Sequence, residues 1–155
     1  MTTIEVAKDY LRKHAADGVS CPCCNQFVKV YRRALNSTMA YMLILLERNT
    51  HDWIHCQQFF HDLQESRSNF STGDFVKLRY WGLIEKCEGK REDGSNRNGY
   101  CRITEEGIDF VHNKLQIRSH AMIYNNQCLR LDGDYVDIKD CLKKKFNYDE
   151  LMADV

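Results

Sequence analysis

One stretch of the sequence, residues 75–111, constrains the fold more than any other. Its first part carries apolar side chains at helical spacing: Phe75, Leu78 and Trp81. Gly82 follows at once, and glycine ends a helix where the chain must leave it with a positive φ angle. Leu83 and Ile84 are then expected to begin a strand. The pattern therefore predicts a helix that passes through one glycine directly into a β-strand.

The second half of this stretch predicts a charged hairpin followed by a helix. Residues 90–99 are too polar for a core, and they contain Asp93 and Gly94, a hairpin signal. Residues 100–103 are expected to return as the second strand. Thr104, with two glutamates after it, is typical of the start of a helix.

Helices are also predicted before this stretch. Residues 3–16 have a helical pattern, which Gly18 ends. Asn36 and Ser37 precede a segment that is apolar nearly all round, which predicts a capped and buried central helix. Residues 59–63 indicate a further short helix.

The C-terminal pattern is different. Short apolar runs alternate with turn residues, and they predict three short strands over residues 121–124, 127–131 and 135–138. A short helix is expected to end at Met152.

Two resemblances follow from these motifs. Gly-Leu-Ile, the charged hairpin and the Ile-Thr-x-x-Gly helix resemble the winged-helix regulators, notably those of the multiple-antibiotic-resistance type. This resemblance implies an α+β fold with a winged helix-turn-helix core over residues 36–115. An N-terminal helix and a zinc knuckle would occupy residues 1–35, and a small β-rich appendage would occupy residues 116–155.

The second resemblance spans most of the chain. The motifs Lys-Val-Tyr-Arg-Arg, Leu-Arg-Tyr-Trp-Gly-Leu-Ile-Glu and Lys-Phe-Asn-Tyr-Asp-Glu-Leu-Met together look like a family of small bacteriophage proteins. It implies a phage origin and a place in the bacterial host cytoplasm, and it supplies no activity.

The cysteines suggest a metal site. The sequence has 8 cysteines, and its N-terminus lacks a secretory signal, which favours reduced thiols or a metal over a disulfide framework. Cys21 and Cys24 have the spacing of a zinc knuckle, in which both thiolates face one ion. A closed structural Zn²⁺ site needs two further ligands, and several candidates stay open: Cys23, His14, His51, His55 and Cys56. The alternative is a loop with free thiols.

Two other cysteines flank the predicted hairpin. Cys87 and Cys101 lie symmetrically about Gly94, so they could face each other across it. Small apolar packing residues in a reduced protein are the favoured interpretation.

Basic residues concentrate in the predicted helix and hairpin. Between Lys77 and Arg102 there are seven Lys or Arg against four Asp or Glu. In a winged helix, the helix enters the major groove and the wing contacts phosphates. The cations predicted to contact DNA are Lys77, Arg79, Lys90, Arg91, Arg97, Arg102, Lys29, Arg32 and Arg33. We expect the first two on the exposed side of the helix. The alternative is ordinary surface charge on a solvated hairpin.

The composition and the absence of certain motifs argue against several classes of function. The net charge is +0, which argues against strong non-specific binding to polyanions. The longest apolar run, residues 42–46, is too short to span a bilayer. No nucleophile elbow, phosphate-binding loop or His-Glu-x-x-His motif is present, so an enzyme is not expected.

Taken with the basic residues, the two resemblances imply a phage DNA-binding protein, acting as a transcriptional regulator on double-stranded DNA. The alternative is a phage protein that binds and redirects or inhibits a host protein of transcription or defence. Many winged-helix regulators are homodimers, although this sequence has no dimerisation heptad.

Overall fold

A computed structural model describes residues 3–63, 70–87, 99–124 and 126–153. Helices and sheets are both present, which confirms the predicted α+β class. The helices are α1 (Ile4–His14), α2 (Ser37–Asn49), α3 (Cys56–Asp62), α4 (Thr72–Phe75), α5 (Glu105–Val111), α6 (Ile138–Leu142) and α7 (Tyr148–Met152). A 3-10 helix, Val76–Trp81, continues α4, and we call the two together the 72–81 segment. The strands are β1 (Val19–Ser20), β2 (Phe27–Val28), β3 (Tyr31–Ala34), β4 (Ile54–His55), β5 (Ile84–Lys86), β6 (Tyr100–Ile103), β7 (Ile117–Tyr124) and β8 (Gln127–Val136).

The central helix α2 is the hub of the core. Asn36 caps it by accepting a hydrogen bond from the backbone N–H of Met39 at 2.9 Å, as predicted. Met42, Leu43 and Leu46 are each 0% exposed. Because α2 is apolar on most of its surface, it can pack against α4, α5, α6 and β6 at once.

One three-stranded sheet lies in the middle of the sequence, with the strand order β4-β6-β5. The 72–81 segment leads into it through Gly82, whose φ of 75° confirms the predicted left-handed turn. The Thr104 hydroxyl donates to the Gly82 carbonyl and accepts from the Gly107 N–H at 3.0 Å, so it also caps α5. A Cβ on Gly107 would collide with the Leu83 carbonyl oxygen. The Ile-Thr-x-x-Gly motif therefore locks α5 onto the turn.

The other three-stranded sheet has the order β3-β7-β8 and joins distant parts of the chain. Tyr31 and Arg33 in β3 lie opposite Ile123 and Ala121 in β7. Residues from the predicted N-terminal and C-terminal segments thus share one sheet.

The prediction of three C-terminal strands is wrong. β7 and β8 form one long hairpin that turns at Asn126, whose φ is 61°. Asp132, predicted to lie in a turn, is paired with His120 inside β8. Gly133 has a φ of 86°, and the register shifts beside it, so the glycine accommodates an irregularity within the strand.

Cys101 has a partner that the sequence did not indicate. It forms a disulfide with Cys56, and both residues are almost fully buried. The favoured interpretation of Cys101 as a reduced packing residue is therefore wrong. Cys87 does not face Cys101 either, since the register places Lys86 opposite Cys101.

Candidate nucleic-acid interface

The 72–81 segment carries the two cations predicted to enter a DNA groove, and both are half-buried rather than exposed. Lys77 Nζ lies 2.9 Å from Asp74 Oδ1. The hydrogen bond from Lys77 is the main reason why the pKa of Asp74 is held below its usual value. The charge of Lys77 is thus balanced within its own helical turn.

Arg79 is held by neighbouring groups. Its guanidinium donates to the Val76 carbonyl at 2.9 Å and to the Tyr80 hydroxyl at 2.9 Å. Tyr80 in turn donates to the carbonyl of Asn126, at the tip of the β7–β8 hairpin, at 2.9 Å. Trp81 Nε1 donates to the Arg118 carbonyl at 2.6 Å. The C-terminal hairpin therefore packs on the side of the 72–81 segment that carries Tyr80 and Trp81, and its tip also reaches Arg79, which was predicted to be exposed.

The returning strand has a balanced cation as well. Arg102 lies opposite Glu85 in the ladder and forms an ion pair with it. Its guanidinium also lies 4.6 Å from the ring centroid of Trp53, a cation–π contact. The remaining predicted wing cations, Lys90, Arg91 and Arg97, lie outside the described residues.

Arg32 is the cation of the N-terminal cluster that has a carboxylate partner. Its Nε lies 3.3 Å from Asp132 Oδ2, across the β3-β7-β8 sheet. The backbone N–H of Gly133, followed by Arg32, lowers the pKa of Asp132. Arg32 is therefore partly neutralised.

Lys29 and Arg33 are different. They flank the ring of Tyr31, with Lys29 Nζ 5.6 Å and Arg33 Cζ 5.8 Å from the ring centroid. Both side chains are exposed, and neither forms an ion pair with the residues that the structure describes. Arg33 also contributes to lowering the pKa of Asp74, so it faces that carboxylate at longer range.

We call Lys29, Tyr31 and Arg33 the β3 cationic edge. β3 is an outer strand of its sheet, and Tyr31 is 48% exposed. Two cations around an exposed aromatic ring suit a phosphate backbone and a stacked base. The sequence prediction included both cations but overlooked Tyr31. The alternation of basic and aromatic residues in Lys-Val-Tyr-Arg-Arg is the signal that marks it.

The predicted knuckle forms a tight turn between β1 and β2. Cys21 N–H donates to the Gln26 carbonyl at 2.8 Å, and Asn25 N–H donates to the Cys21 carbonyl at 2.8 Å. The backbone N–H groups of Cys23 and Cys24 lower the pKa of the Cys21 thiol, and side-chain contacts from the same residues contribute. Three thiol groups are thus close together, with N–H groups directed at one sulfur.

The other predicted zinc ligands are engaged elsewhere. The candidates in question are His14, His51, His55 and Cys56. His14 contacts the ring of Tyr10 in a tilted arrangement, and His51 contacts Glu47. His55 caps α3, and Cys56 is in the disulfide. In the described part of the chain, no group of three His, Cys, Asp or Glu is arranged to hold a metal ion. Cys21 and Cys24 carry thiols of the kind that binds Zn²⁺, and two ligands of a closed site are missing.

Comparison with family models, with curated proteins and with solved structures finds no match to this chain. Among the described residues, no helix has the length and apolar character needed to cross a bilayer.

Proposed function

We propose that this protein binds double-stranded DNA and contains a winged helix-turn-helix core. The observation that carries the proposal is the order of elements from α2 to α5. A helix, a short strand, two helical segments and two strands follow one another, and β4 pairs with the second strand of the hairpin. This agrees with the helix, helix, helix, hairpin order that the resemblance implies.

The contacts proposed for duplex DNA centre on the two cations of the β3 cationic edge. Lys29 and Arg33 are exposed and lack an ion pair in the described part of the chain. Arg33 and Lys77 both lower the pKa of Asp74, so the β3 cationic edge lies near the 72–81 segment. A phosphate can recruit Lys29 and Arg33 without displacing a carboxylate, whereas Arg102 would first have to leave Glu85.

A structural Zn²⁺ at the knuckle belongs to the same proposal. Cys21 and Cys24 are the proposed ligands. A bound Zn²⁺ would fix the turn that leads into β2 and β3. Two further ligands would have to come from other residues.

A second candidate function is binding of a host protein by a phage protein. It is favoured by the internal pairing of Lys77 and Arg102, which lowers the charge available to DNA. It is also favoured by α1, where Ile4 is 68%, Val6 57% and Tyr10 41% exposed. Exposed apolar side chains grouped on one helix are typical of a protein-binding surface.

The test compares two double variants on mixed-sequence duplex DNA. Removing both free cations, Lys29→Ala with Arg33→Ala, should weaken binding about tenfold and lower the slope of log K against log salt by about 2. Removing two cations that the protein holds internally, Arg79 by hydrogen bonds and Arg102 by Glu85, should change affinity less than about threefold in Arg79→Ala with Arg102→Ala. Fluorescence anisotropy between about 50 and 200 mM salt measures both.

Lys114→Ala with Lys144→Ala is the matched control, because both lysines are exposed and lie in connections outside β3, after α5 and after α6. The proposal fails if the wild type shows no salt-dependent DNA binding, or if the control double variant weakens binding as much as the first one. A stoichiometric complex with a host protein that survives nuclease would then favour the second function.

A further inference from the structure

A small cavity opens directly beside the β3 cationic edge. Its volume is about 240 Å³, and it is lined by Gln26, Phe27, Val28, Lys29, Tyr31 and Tyr124. Pockets for drug-sized ligands occupy roughly 300–1,000 Å³, so this cavity suits a single ring system. We call it the aromatic cavity.

Three aromatic rings from three different elements line this cavity. Phe27 is in β2, Tyr31 is in β3 and Tyr124 is the last residue of β7. Phe27 is 61% exposed and Tyr31 is 48% exposed. Exposed rings that converge on one concave site provide faces on which a planar ring can stack.

The local backbone sets the position of Phe27. Gly18 has a φ of 89°, and a Cβ at this position would come 2.6 Å from the Phe27 ring. The glycine thus leaves the space that the ring occupies. Asn25, with a φ of 61°, ends the knuckle turn just before Gln26. The knuckle turn therefore places one wall of the cavity.

The polar groups of the aromatic cavity suit a nucleotide. The Gln26 amide can both donate and accept hydrogen bonds, as the edge of a base requires. Lys29 lines the cavity, and Arg33 lies beside the Tyr31 ring. No carboxylate among the described residues lines it. An anionic phosphate next to the ring system would therefore meet two cations, with no carboxylate in the cavity lining and Asp74 facing Arg33 only at longer range.

A neighbouring cavity provides a contrast. It has a volume of about 340 Å³ and shares Val28 and Tyr124 with the aromatic cavity. Its other lining is mostly aliphatic, and its cations, Lys8 and Arg12, face acidic residues one turn away in α1. The aromatic cavity combines ring faces, an amide and one cation, Lys29, that has no ion pair among the described residues; the larger cavity does not.

We propose that the aromatic cavity binds an unpaired base of a single-stranded nucleic acid, with the adjoining phosphates on Lys29 and Arg33. This rests on the proposed function in that nucleic acid is the ligand. It goes further, because a base held in a cavity must be outside a duplex stack. The protein would then bind a single strand, or the unpaired end of a duplex, in a way that fully paired DNA cannot reproduce.

The experiment measures binding of the full chain to a short single strand of DNA, to RNA of the same sequence and to the matching DNA duplex. Tyr31→Ala should weaken binding to the preferred single strand about fivefold or more, since stacking on an aromatic ring is lost. Its effect on the duplex should stay below about twofold. Tyr31→Phe should retain binding, because the ring remains. Tyr10→Ala, which removes an exposed ring on α1, is the matched control and should have no effect.

A second measurement needs no variant. A fluorescent adenine analogue placed in the single strand should lose emission when the wild type binds, because stacking quenches it. No quenching at any position of the strand would overturn the proposal. Equal losses of single-strand and duplex affinity in Tyr31→Ala would also overturn it, and would leave duplex binding by Lys29 and Arg33 standing. If neither form of nucleic acid binds, the proposed function fails as well.

Discussion

The β3 cationic edge carries basic side chains similar to those of the 72–81 segment and strands β5 and β6, but in different surroundings. We call the 72–81 segment, β5 and β6 together the helix–hairpin region. In the helix–hairpin region, Lys77 lies 2.9 Å from Asp74, and Arg102 forms an ion pair with Glu85. Asp74 and Glu85 already provide the negative charge that an anionic ligand would bring to these two cations.

At the β3 cationic edge, the basic groups have no carboxylate partner in the described part of the chain. Lys29 and Arg33 contact the ring of Tyr31 instead. A cation–π contact at an exposed site is worth roughly 0.5–1 kcal/mol, which a phosphate can replace or share. The comparison shows that the number of basic residues says little about binding, whereas the position of the counter-charges decides which cations are available.

Metal content gives the largest expected effect. The knuckle directly precedes β2 and β3. A Zn²⁺ ion bound there would therefore order the β3 cationic edge and not the helix–hairpin region. Elemental analysis of the purified protein should find about one Zn²⁺ per chain, and Cys21→Ser should remove it. Cys87→Ser serves as the control because Cys87 lies outside the knuckle and the disulfide. A stable wild-type protein without metal would exclude the zinc proposal.

The second prediction concerns the helix–hairpin region, where α5 packs against the turn at Gly82. Gly107→Ala should lower the free energy of unfolding by about 2–3 kcal/mol, because its Cβ would collide with the Leu83 carbonyl. Urea denaturation measures this change. Gly73→Ala is the matched control, since a Cβ there meets only the Ser71 hydroxyl at 3.9 Å, and it should be neutral or slightly stabilising. An equal loss in both variants would mean that the motif does not act through this contact.

The third prediction has the smallest expected effect. It removes a counter-charge, so that Lys77 becomes as available to DNA as the cations of the β3 cationic edge. Asp74→Asn removes the carboxylate that faces Lys77 and Arg33, so duplex DNA affinity should rise about two- to threefold. The folded-state pKa of Asp74 is lowered. The Asp74 carboxylate therefore contributes to stability above its unfolded pKa of about 3.9. That contribution is lost as the pH falls from there through the folded pKa. It should be small, since the side chain is 43% exposed.

Urea denaturation at several pH values from about 6 down to 3 would detect this difference between the wild type and Asp74→Asn. Asp17→Asn provides the comparison, because Asp17 is exposed and has no ion pair among the described residues. Unchanged DNA affinity in Asp74→Asn would show that Asp74 does not restrain the neighbouring cations.

Local features of the fold were accessible from the sequence. The caps at Asn36 and Thr104 and the turn at Gly82 are all confirmed. Each depends on residues three or four positions away, so the local pattern contains the needed information. The three-strand prediction failed because Asp132 and Gly133 have turn chemistry, while pairing with β7 keeps them in one long strand.

The sequence by itself determined the α+β class, the helix caps and the glycine turn that joins the 72–81 segment to β5. Only the tertiary structure decided which cations remain unpaired and which aromatic rings meet. Arg32 and Asp132 are separated by 100 residues and meet because β3 pairs with β7 next to β8. Tyr31 and Tyr124 meet through the same β3–β7 pairing, and Phe27 reaches them from the separate β1–β2 sheet. Such contacts depend on how distant strands pair and on their register, which no local pattern specifies.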